Sequence, residues 1–476
     1  MKVLSNLLIV VGLLITLFTN AQTKADTAVI QKESMAWWQD AKFGMFIHWG
    51  LYSVAAGDWN GEPSRGNEHF MLYERVPLKE YAKIADRFDP LKFDADEWVK
   101  RAKDAGMKYV VFTAKHHDGY AMYNSGTSDY NIVKTTKFGR DPIKELAEAC
   151  KKYDLKLGIY YSLGRDWEDP DVPTDWPEKG GRSNTWDYPN EDSKDFSKYF
   201  ERKVKPQVKE LLTQYGPIAI MWFDTPEGYI TKEQSAELRQ LIKKLQPECI
   251  INNRIGNNKG DYMVYEQKIA VKRDAQPWES CITMSGKWSY NRHDNAWKSS
   301  ELMVRQLVEI ASKGGNLLLN INPTGEGAIL PQAKQRLEEI GDWIRTNGEA
   351  IYGTHPWDIT NELAIVQNLT SDQLQSTESV KNTMQDTNND NTSQEIVPDI
   401  YYTAKGKYVY LFARSWKSAT VRAKAFAGNK YIIDNVTMLG NSQNIQWFQQ
   451  EDGLSIELPL ATKTKVPVYV FKILLK

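Results

Sequence analysis

The sequence of 476 residues contains only three cysteines, Cys150, Cys249 and Cys281, which lie far apart along the chain. So few and so widely spaced cysteines exclude a disulfide-rich scaffold, and none has the spacing of a metal-binding motif. We therefore expect three buried free thiols, with a single disulfide as the alternative.

The chain also lacks a charge of one sign, because 60 basic residues are balanced by 61 acidic ones. A nucleic-acid-binding protein usually has a basic face, so this balance argues against nucleic acid as a partner. A Gly-x-Gly-x-x-Gly fingerprint and a phosphate-binding loop are both missing, which argues against a nucleotide site. We expect no cofactor.

Long apolar runs are missing except at residues 7–18, which follow the positive charge of Lys2. This run has the length of a signal-peptide core and is short for a membrane span. Ala21 supplies the small residue of a cleavage site. We predict a signal peptide over residues 1–21 and an exported protein, periplasmic or secreted, without a membrane span. An uncleaved anchor is the alternative.

Aromatic residues, in contrast, are abundant, with 16 tryptophans and 24 tyrosines. Aromatic rings stack on the faces of sugars but also fill ordinary cores, so their number favours a carbohydrate ligand only slightly. A chain of this length exceeds what one hydrophobic core usually holds, and two domains are expected.

Strand and helix patterns alternate through residues 27–355. The strands indicated are residues 42–50, 108–114, 156–162, 218–224, 250–254 and 316–321. The helices indicated are residues 35–40, 81–101, 142–153, 193–215, 231–245, 299–312 and 332–346. Such alternation predicts an α/β fold with a parallel sheet, best interpreted as a (β/α)8-like (TIM-type) barrel. A doubly wound sheet is the alternative.

The pattern changes near Trp357, and short strand-like runs separated by turn signals follow from residue 401 onward. This pattern predicts an antiparallel β-sandwich over residues 356–476. Residues 371–394 are rich in Ser, Thr, Asn, Asp and Gln, which predicts a mobile loop inside that domain.

Several polar side chains stand at the ends of the predicted strands: His48, His116, His117, Asp224 and Arg254. In a barrel these ends converge on one face, where ligands bind. The strand at 218–224 ends in Trp222, Phe223 and Asp224, so a carboxylate flanked by aromatic rings is a candidate nucleophile facing a sugar. The alternative is an aspartate that caps the next helix.

Four segments resemble the α-L-fucosidases of glycoside hydrolase family 29: FGMFIHWGLYS at 43–53, AKHHDG at 114–119, IYYS at 159–162 and MWFD at 221–224. The segments at 316–327 and 347–352 add to the likeness, which covers the whole catalytic region. The resemblance implies an exo-acting enzyme that releases terminal α-L-fucosyl residues from oligosaccharides or glycoconjugates. It also implies retention through a covalent glycosyl-enzyme intermediate, on a barrel followed by a β-sandwich.

In that family the aspartate that closes the MWFD strand is the nucleophile, here Asp224. Two glutamates are candidates for the acid/base. Glu266 lies in a segment similar to the family's D-[FY]-x-T-x-E motif, with Val264 in place of Thr, and Glu279 lies in a Trp-Glu pair. We favour Glu266. The alternatives are a solvated loop carboxylate for Glu266 and, for Glu279, a buried glutamate paired with a barrel arginine.

The resemblance also implies eight substrate-binding residues: His48, Glu68, His116, His117, Tyr160, Tyr161, Trp222 and Arg254. Alternation along a strand lets only one of Tyr160 and Tyr161 point inward. His69 stands where the family has a stacking tryptophan. A zinc cluster of histidines is the alternative interpretation, but it needs further ligands at set distances, and the family uses no metal.

Fucose is a 6-deoxy sugar, so its site needs an apolar patch for the methyl group beside polar groups for three hydroxyls. The candidates for the patch are Phe43, Phe46, Trp222 and Tyr160 or Tyr161. Two other functions stay open: a non-catalytic fucose-binding protein, and a retaining glycosidase for a different sugar. The sequence makes no prediction of linkage specificity or oligomeric state.

Overall fold

The structure, a computed structural model, describes residues 29–30, 32–173, 184–225, 228–362, 399–414, 420–428, 430–457 and 466–476. The predicted signal peptide at 1–21 and the predicted loop at 371–394 lie outside the described residues. The chain divides into two compact units, one of Met1–Ser299 with Gly315–Asp342 and one of Ser300–Gly314 with Trp343–Lys476. The predicted boundary between residues 355 and 356 stays a prediction.

The first unit contains a sheet of eight strands. They are β1 (Phe43–Ile47), β2 (Tyr109–Lys115), β3 (Lys156–Ser162), β4 (Ile220–Asp224), β5 (Ile250–Ile251), β6 (Met263–Glu266), β7 (Trp278–Thr283) and β8 (Asn316–Ile321). Their order is β5-β4-β3-β2-β1-β8-β7-β6, and each neighbouring pair is parallel. A parallel bridge from Asn252 to Tyr262 joins the two edges and closes the sheet. The predicted (β/α)8-like barrel is confirmed.

The longer helices are α1 (Ala95–Asp104), α2 (Pro142–Tyr153), α3 (Lys205–Gln214), α4 (Lys232–Leu245), α5 (Ser300–Ser312) and α6 (Pro331–Asn347). Side-chain caps define where several of them begin. Asp141 accepts from the backbone N–H groups of Ile143 and Lys144 at the start of α2, as its position before a proline predicts. Thr231 and Gln234 form a capping box at the start of α4.

One predicted helix of the barrel region is wrong, and two strands of the barrel were not indicated by the sequence. Residues 81–101 are not one helix: a short helix at Leu78–Ala82 passes into a 3-10 turn at Lys83–Arg87, and α1 begins only at Ala95. Pro90 lies in the gap, and a proline disfavours helical backbone in the residue before it. Strands β6 and β7 lie between residues 254 and 316, where the sequence indicates no strand.

The lower part of the barrel is filled by buried side chains from its strands. They include Phe46, Tyr109, Val111, Tyr160, Ile220, Trp222 and Leu318. The ring of Tyr109 fits because its neighbour on β1 is Gly44, where an added Cβ would lie 2.4 Å from that ring. This packed interior leaves the carboxyl ends of the strands as the open face of the barrel.

The second unit contains two antiparallel sheets. Their strands are β9 (His355–Glu362), β10 (Ile400–Lys405), β11 (Tyr408–Ala413), β12 (Thr420–Ala423), β13 (Ile433–Met438), β14 (Trp447–Gln450), β15 (Gly453–Glu457) and β16 (Tyr469–Leu475). One sheet has the order β9-β10-β11-β16-β13 and the other β12-β15-β14. Side chains of both sheets, among them Trp357, Leu411 and Ile456, share one buried core. The predicted antiparallel β-sandwich is confirmed.

Cys150, Cys249 and Cys281 are all buried free thiols, which confirms the prediction made from their spacing. Within the part of the chain that the structure describes, no helix is long and apolar enough to cross a membrane.

Candidate active site

A pocket of about 320 Å³ lies at the carboxyl ends of the barrel strands. It is lined by Phe46, His48, Glu68, His69, His116, His117, Tyr160, Arg165, Trp222, Asp224, Thr225, Arg254, Glu266, Cys281 and Trp288. Its volume is at the small end of the range for ligand pockets, which are roughly 300–1,000 Å³. The pocket therefore suits one small ring better than an extended chain.

Asp224 is the last residue of β4, and its carboxylate accepts three hydrogen bonds in the pocket. Its Oδ1 accepts from Nη1 of Arg254 at 2.5 Å and from the backbone N–H of Thr225 at 2.8 Å. Its Oδ2 accepts from the hydroxyl of Tyr160 at 2.8 Å. Burial alone would raise the pKa of Asp224, but the charge of Arg254 and these hydrogen bonds outweigh it and lower the pKa. Asp224 is therefore ionised at neutral pH.

Arg254 forms hydrogen bonds with both carboxylates proposed for catalysis, those of Asp224 and Glu266. Its Nη1 contacts Asp224, and its Nη2 donates to Oε2 of Glu266 at 2.7 Å. The side chain of Glu266 is 43% exposed, whereas that of Asp224 is only 14% exposed. Glu266 thus stands nearer the mouth of the pocket and Asp224 deeper inside.

The backbone bends sharply just after each of these carboxylates. Thr225 has φ +52° and Gln267 has φ +52°, in the left-handed region that residues other than glycine seldom adopt. For a β-branched residue such as Thr225 this conformation is strained, at a cost of about 1–3 kcal/mol. Both carboxylates are therefore held at turns in which the chain leaves its strand.

Glu279 lies outside the pocket, on the second position of β7 and two residues below the level of Glu266 in the strand register. It is fully buried, accepting from Nε1 of Trp222 at 2.9 Å and from the hydroxyl of Tyr109 at 2.6 Å. Burial raises its pKa to about 7. Glu266 is among the residues that line the pocket and Glu279 is not, which favours Glu266 as the acid/base. It is a buried glutamate, as the alternative interpretation held, but its partners are a tryptophan and a tyrosine rather than an arginine.

The hydrogen-bond partners of Nδ1 determine which ring nitrogen of His48 and of His117 carries a proton. Nδ1 of His48 is 2.6 Å from Oδ1 of Asn320, whose amide group donates to the carbonyl of Trp288. Nδ1 of His117 is 2.6 Å from the hydroxyl of Ser162, which itself donates to the carbonyl of Arg165. Both histidines must therefore donate from Nδ1, which leaves the lone pair of Nε2 as an acceptor.

His116 and Glu68 complete the polar wall. Nδ1 of His116 is buried and has no hydrogen-bond partner among the described residues. Glu68 is buried, with Oε2 accepting from the amide of Asn67 at 2.7 Å and from the hydroxyl of Ser289 at 3.1 Å. Burial opposes ionisation of Glu68, but His69 and the hydrogen bond from Asn67 outweigh it and lower its pKa.

Aromatic rings form the floor. The rings of Tyr160 and Trp222 stack with centroids 5.5 Å apart, and Phe46 lies 4.9 Å from Trp222. Tyr161 points the other way, where its hydroxyl donates to Gln207 at 2.8 Å. Of the two tyrosines, Tyr160 is therefore the one in the pocket. Phe43, also a candidate for the apolar patch, is buried away from the lining residues.

The structure brings five further residues into the pocket that we had not assigned to it: His69, Arg165, Thr225, Cys281 and Trp288. Arg165 had a signal in the sequence, because it follows the end of β3 by three residues. Trp288 follows β7, a strand that the sequence does not indicate, so its position could not be inferred. His69 had been noted only as a departure from the family pattern.

A closed parallel barrel with two carboxylates and an aromatic floor at its carboxyl end is the architecture of a glycoside hydrolase. The family model for alpha-L-fucosidase matches residues 16–349, and the model for the alpha-L-fucosidase C-terminal domain matches residues 389–474. The chain belongs to the alpha-L-fucosidase family, glycoside hydrolase family 29, as the sequence motifs indicated.

Three relatives illustrate the similarity. Tissue alpha-L-fucosidase of Homo sapiens is 30% identical over 455 residues, covering 91% of this chain and 86% of the relative. Alpha-L-fucosidase isoenzyme 1 from Paenibacillus thiaminolyticus is 30% identical with a TM-score of 0.78, covering 94% of this chain and 100% of that one. Alpha-L-fucosidase AlfC from Lactobacillus casei, solved in complex with alpha-L-fucose product, is 38% identical with a TM-score of 0.63, covering 67% and 99%.

Proposed function

We propose that the protein is an exo-acting, retaining α-L-fucosidase that releases terminal α-L-fucosyl residues from oligosaccharides or glycoconjugates. In the first step Asp224 attacks the anomeric carbon while Glu266 gives a proton to the leaving oxygen. In the second step Glu266 takes a proton from water, which displaces Asp224 and releases fucose. Two inversions at the anomeric carbon leave the configuration unchanged.

The observation that carries the proposal is the single guanidinium of Arg254 bound to both carboxylates. A retaining glycosidase needs its nucleophile and its acid/base about 5–5.5 Å apart, and groups that share one arginine are close neighbours. The difference in exposure supports the assignment of roles. The nucleophile must contact the anomeric carbon of a sugar bound deep in the pocket. The acid/base must contact the leaving group, and later a water molecule, at the mouth of the pocket.

The other pocket residues support recognition of a deoxy sugar. The Nε2 lone pairs of His48 and His117 can accept hydrogen bonds from sugar hydroxyls, and the ionised Glu68 provides further acceptors. Phe46 and Trp222 offer an apolar surface for the methyl group. The size of the pocket supports binding of a single terminal sugar, and the fucose bound to the Lactobacillus casei relative agrees with this choice.

We further propose that the protein is exported, on the strength of the apolar run at residues 7–18. Cell fractionation and N-terminal sequencing of the mature chain test this. Activity in the periplasm or medium and a mature terminus at Gln22 are expected. A chain that keeps residues 1–21 would contradict cleavage.

The mechanism is tested by following the first turnovers of an aryl α-L-fucoside by proton NMR. Retention predicts that α-L-fucose appears before the β-anomer, which then grows by mutarotation. Initial release of β-L-fucose would contradict the mechanism. If the protein binds fucose but hydrolyses no fucoside, it is the non-catalytic fucose-binding protein. If it hydrolyses the glycoside of another sugar and no fucoside, it is a glycosidase for that sugar.

Asp224→Gly tests the nucleophile directly. Its hydrolysis should fall by at least about 1,000-fold, a loss typical of removing a nucleophile. Added azide should restore turnover and give the β-fucosyl azide, because azide then attacks from the side that Asp224 occupied. Asp129→Gly is the matched control, because the side chain of Asp129 is 93% exposed. Undiminished turnover by Asp224→Gly would refute the assignment.

A further inference from the structure

Three imidazoles crowd one wall of the pocket. His69, His116 and His117 each place one ligand nitrogen within 4.8 Å of the others. The ring centroids of His116 and His117 are 4.2 Å apart, and the ring of His69 lies 5.1 Å from that of His117. Among the described residues, no other group of three metal-ligating side chains is arranged in this way.

Two of the three imidazoles, those of His116 and His117, have a ring nitrogen available for a ligand. The hydrogen bond from Nδ1 of His117 to Ser162 fixes the tautomer and leaves Nε2 free, which is also how metal-binding histidines are usually oriented. Nδ1 of His116 is buried and lacks a partner among the described residues.

The charges around the histidines favour a cation. The lining residues include three carboxylates, Glu68, Asp224 and Glu266, and two guanidiniums, Arg165 and Arg254. The formal charges of these five side chains sum to one net negative charge. Oδ2 of Asp224 lies 3.7 Å from Nε2 of His117, so a carboxylate oxygen is within reach of the same ion.

We propose that His69, His116 and His117 form an inhibitory site for a divalent ion of the zinc type, with Asp224 as the fourth ligand. Zinc binds imidazole nitrogen at about 2.0–2.1 Å in tetrahedral geometry, so the nitrogens need to approach one another by at most roughly 1.5 Å. His69 can supply this movement, because it ends a single 3-10 turn, Asn67–His69, and is only half-buried.

The ion and the sugar compete for the same groups. A bound ion occupies the lone pair of His117 and an oxygen of Asp224, both of which the proposed reaction uses. Metal binding by itself rests only on the three histidines. Its inhibitory effect rests on the proposed function, so the two claims need separate measurements.

Cobalt provides a direct test of binding, because Co²⁺ takes zinc sites and absorbs visible light with an intensity that reports tetrahedral geometry. Tag-free protein stripped with EDTA is titrated with Co²⁺. One equivalent should give a saturable tetrahedral spectrum that Zn²⁺ abolishes. His69→Gln and His116→Gln should each weaken binding by at least about tenfold. His355→Gln, whose ring is exposed in the second unit, is the matched control and should bind as the wild type does.

A wild-type protein without a saturable spectrum would overturn the proposal, as would unchanged affinity in both pocket variants. Inhibition is measured separately. L-Fucose should raise the apparent dissociation constant of Co²⁺, and Zn²⁺ should inhibit an aryl fucoside competitively, with full reversal by EDTA. Fucose that leaves the Co²⁺ affinity unchanged would refute a shared site. An active enzyme that binds no Co²⁺ refutes only the metal site, whereas Co²⁺ binding without any hydrolysis refutes only the proposed function.

Discussion

The hydroxyl of Tyr160 donates a hydrogen bond of 2.8 Å to Oδ2 of Asp224. This contact stabilises the carboxylate in its charged form and fixes the orientation of one oxygen, while Arg254 holds the other. Asp224 is thus constrained from two sides before any substrate arrives.

Tyr160→Phe should lower kcat/KM for an aryl fucoside by roughly 10- to 100-fold, because a hydrogen bond to a charged group contributes about 1.5–3 kcal/mol. The acidic limb of the pH profile should also move to higher pH. The hydrogen bond from Tyr160 helps to lower the pKa of Asp224 against the opposing effect of burial, so its loss lets that pKa rise. Tyr161→Phe is the matched control, because its hydroxyl contacts Gln207 outside the pocket. Equal losses in the two variants would contradict this account.

Glu266→Ala should affect substrates according to their leaving groups. General acid catalysis contributes about 10²- to 10⁴-fold, so hydrolysis of an alkyl fucoside should fall by that factor. Dinitrophenolate needs no protonation to leave, so the first step, fucosylation of Asp224 by a dinitrophenyl fucoside, should slow much less. Azide should restore turnover and give the α-fucosyl azide. Glu326→Ala, an exposed glutamate paired with Lys92, is the control. Wild-type hydrolysis of alkyl fucosides by Glu266→Ala would exclude Glu266 as the acid.

Glu279→Gln should change how stability depends on pH. Burial raises the pKa of Glu279 from 4.5 to about 7, so its contribution to folding is fully present below pH 4.5 and is lost as the pH rises through 7. A glutamine imitates the protonated form and does not titrate. The stability of Glu279→Gln relative to wild type should therefore rise between pH 5 and pH 8, by on the order of 3 kcal/mol in the free energy of unfolding. The Tm of the variant relative to that of the wild type should rise over the same range. A constant difference, as expected for the exposed Glu326→Gln, would contradict the assigned shift.

Asp166→Asn should destabilise the barrel strongly. Asp166 is fully buried between Lys115 at 2.7 Å and Lys203 at 2.8 Å. Its neutralisation leaves the buried Lys115 without its carboxylate, with only the hydroxyl of Tyr199 as a partner, and removes one of the two carboxylates that pair with Lys203, the other being Glu168. Breaking a buried ion pair from one side costs about 3–5 kcal/mol. The midpoint of urea unfolding should fall accordingly. In Asp104→Asn the lost pair with Lys100 is exposed, and the cost should stay below about 1 kcal/mol. Equal midpoints for the two variants would contradict this ranking.

Much of the barrel could be predicted from the sequence, because its strands are short apolar runs that end in polar residues. Strands β3 and β8 match the predicted ranges. Strand β5 lies within the predicted range 250–254 but is only two residues long. Strands β6 and β7 were not indicated, because MVYE and WESCIT are short and partly polar. Such strands are recognisable only when their neighbours in the sheet are known.

The site was predictable where a residue closes a strand, and less so where depth in the barrel decides its role. Asp224 ends a strand that the sequence indicated, whereas Glu266 ends β6, which it did not indicate, and was assigned only through the family motif. Glu279 lies near the start of β7, so its side chain reaches the interior beneath Trp222 rather than the pocket. To choose between Tyr160 and Tyr161 one must know which face of β3 points into the barrel. Arg165 and Trp288 come from the segments after β3 and β7, whose paths no local pattern determines.

The central claim is that Asp224 forms a bond to the sugar. The most direct test is mass spectrometry after incubation with 2-deoxy-2-fluoro-α-L-fucosyl fluoride. The fluorine at C2 destabilises the oxocarbenium-like transition states of both steps, and the fluoride leaving group speeds the first, so the intermediate accumulates. The account predicts one fluorofucosyl group per chain, on the peptide that contains Asp224. No adduct, or an adduct on a different carboxylate, would contradict it.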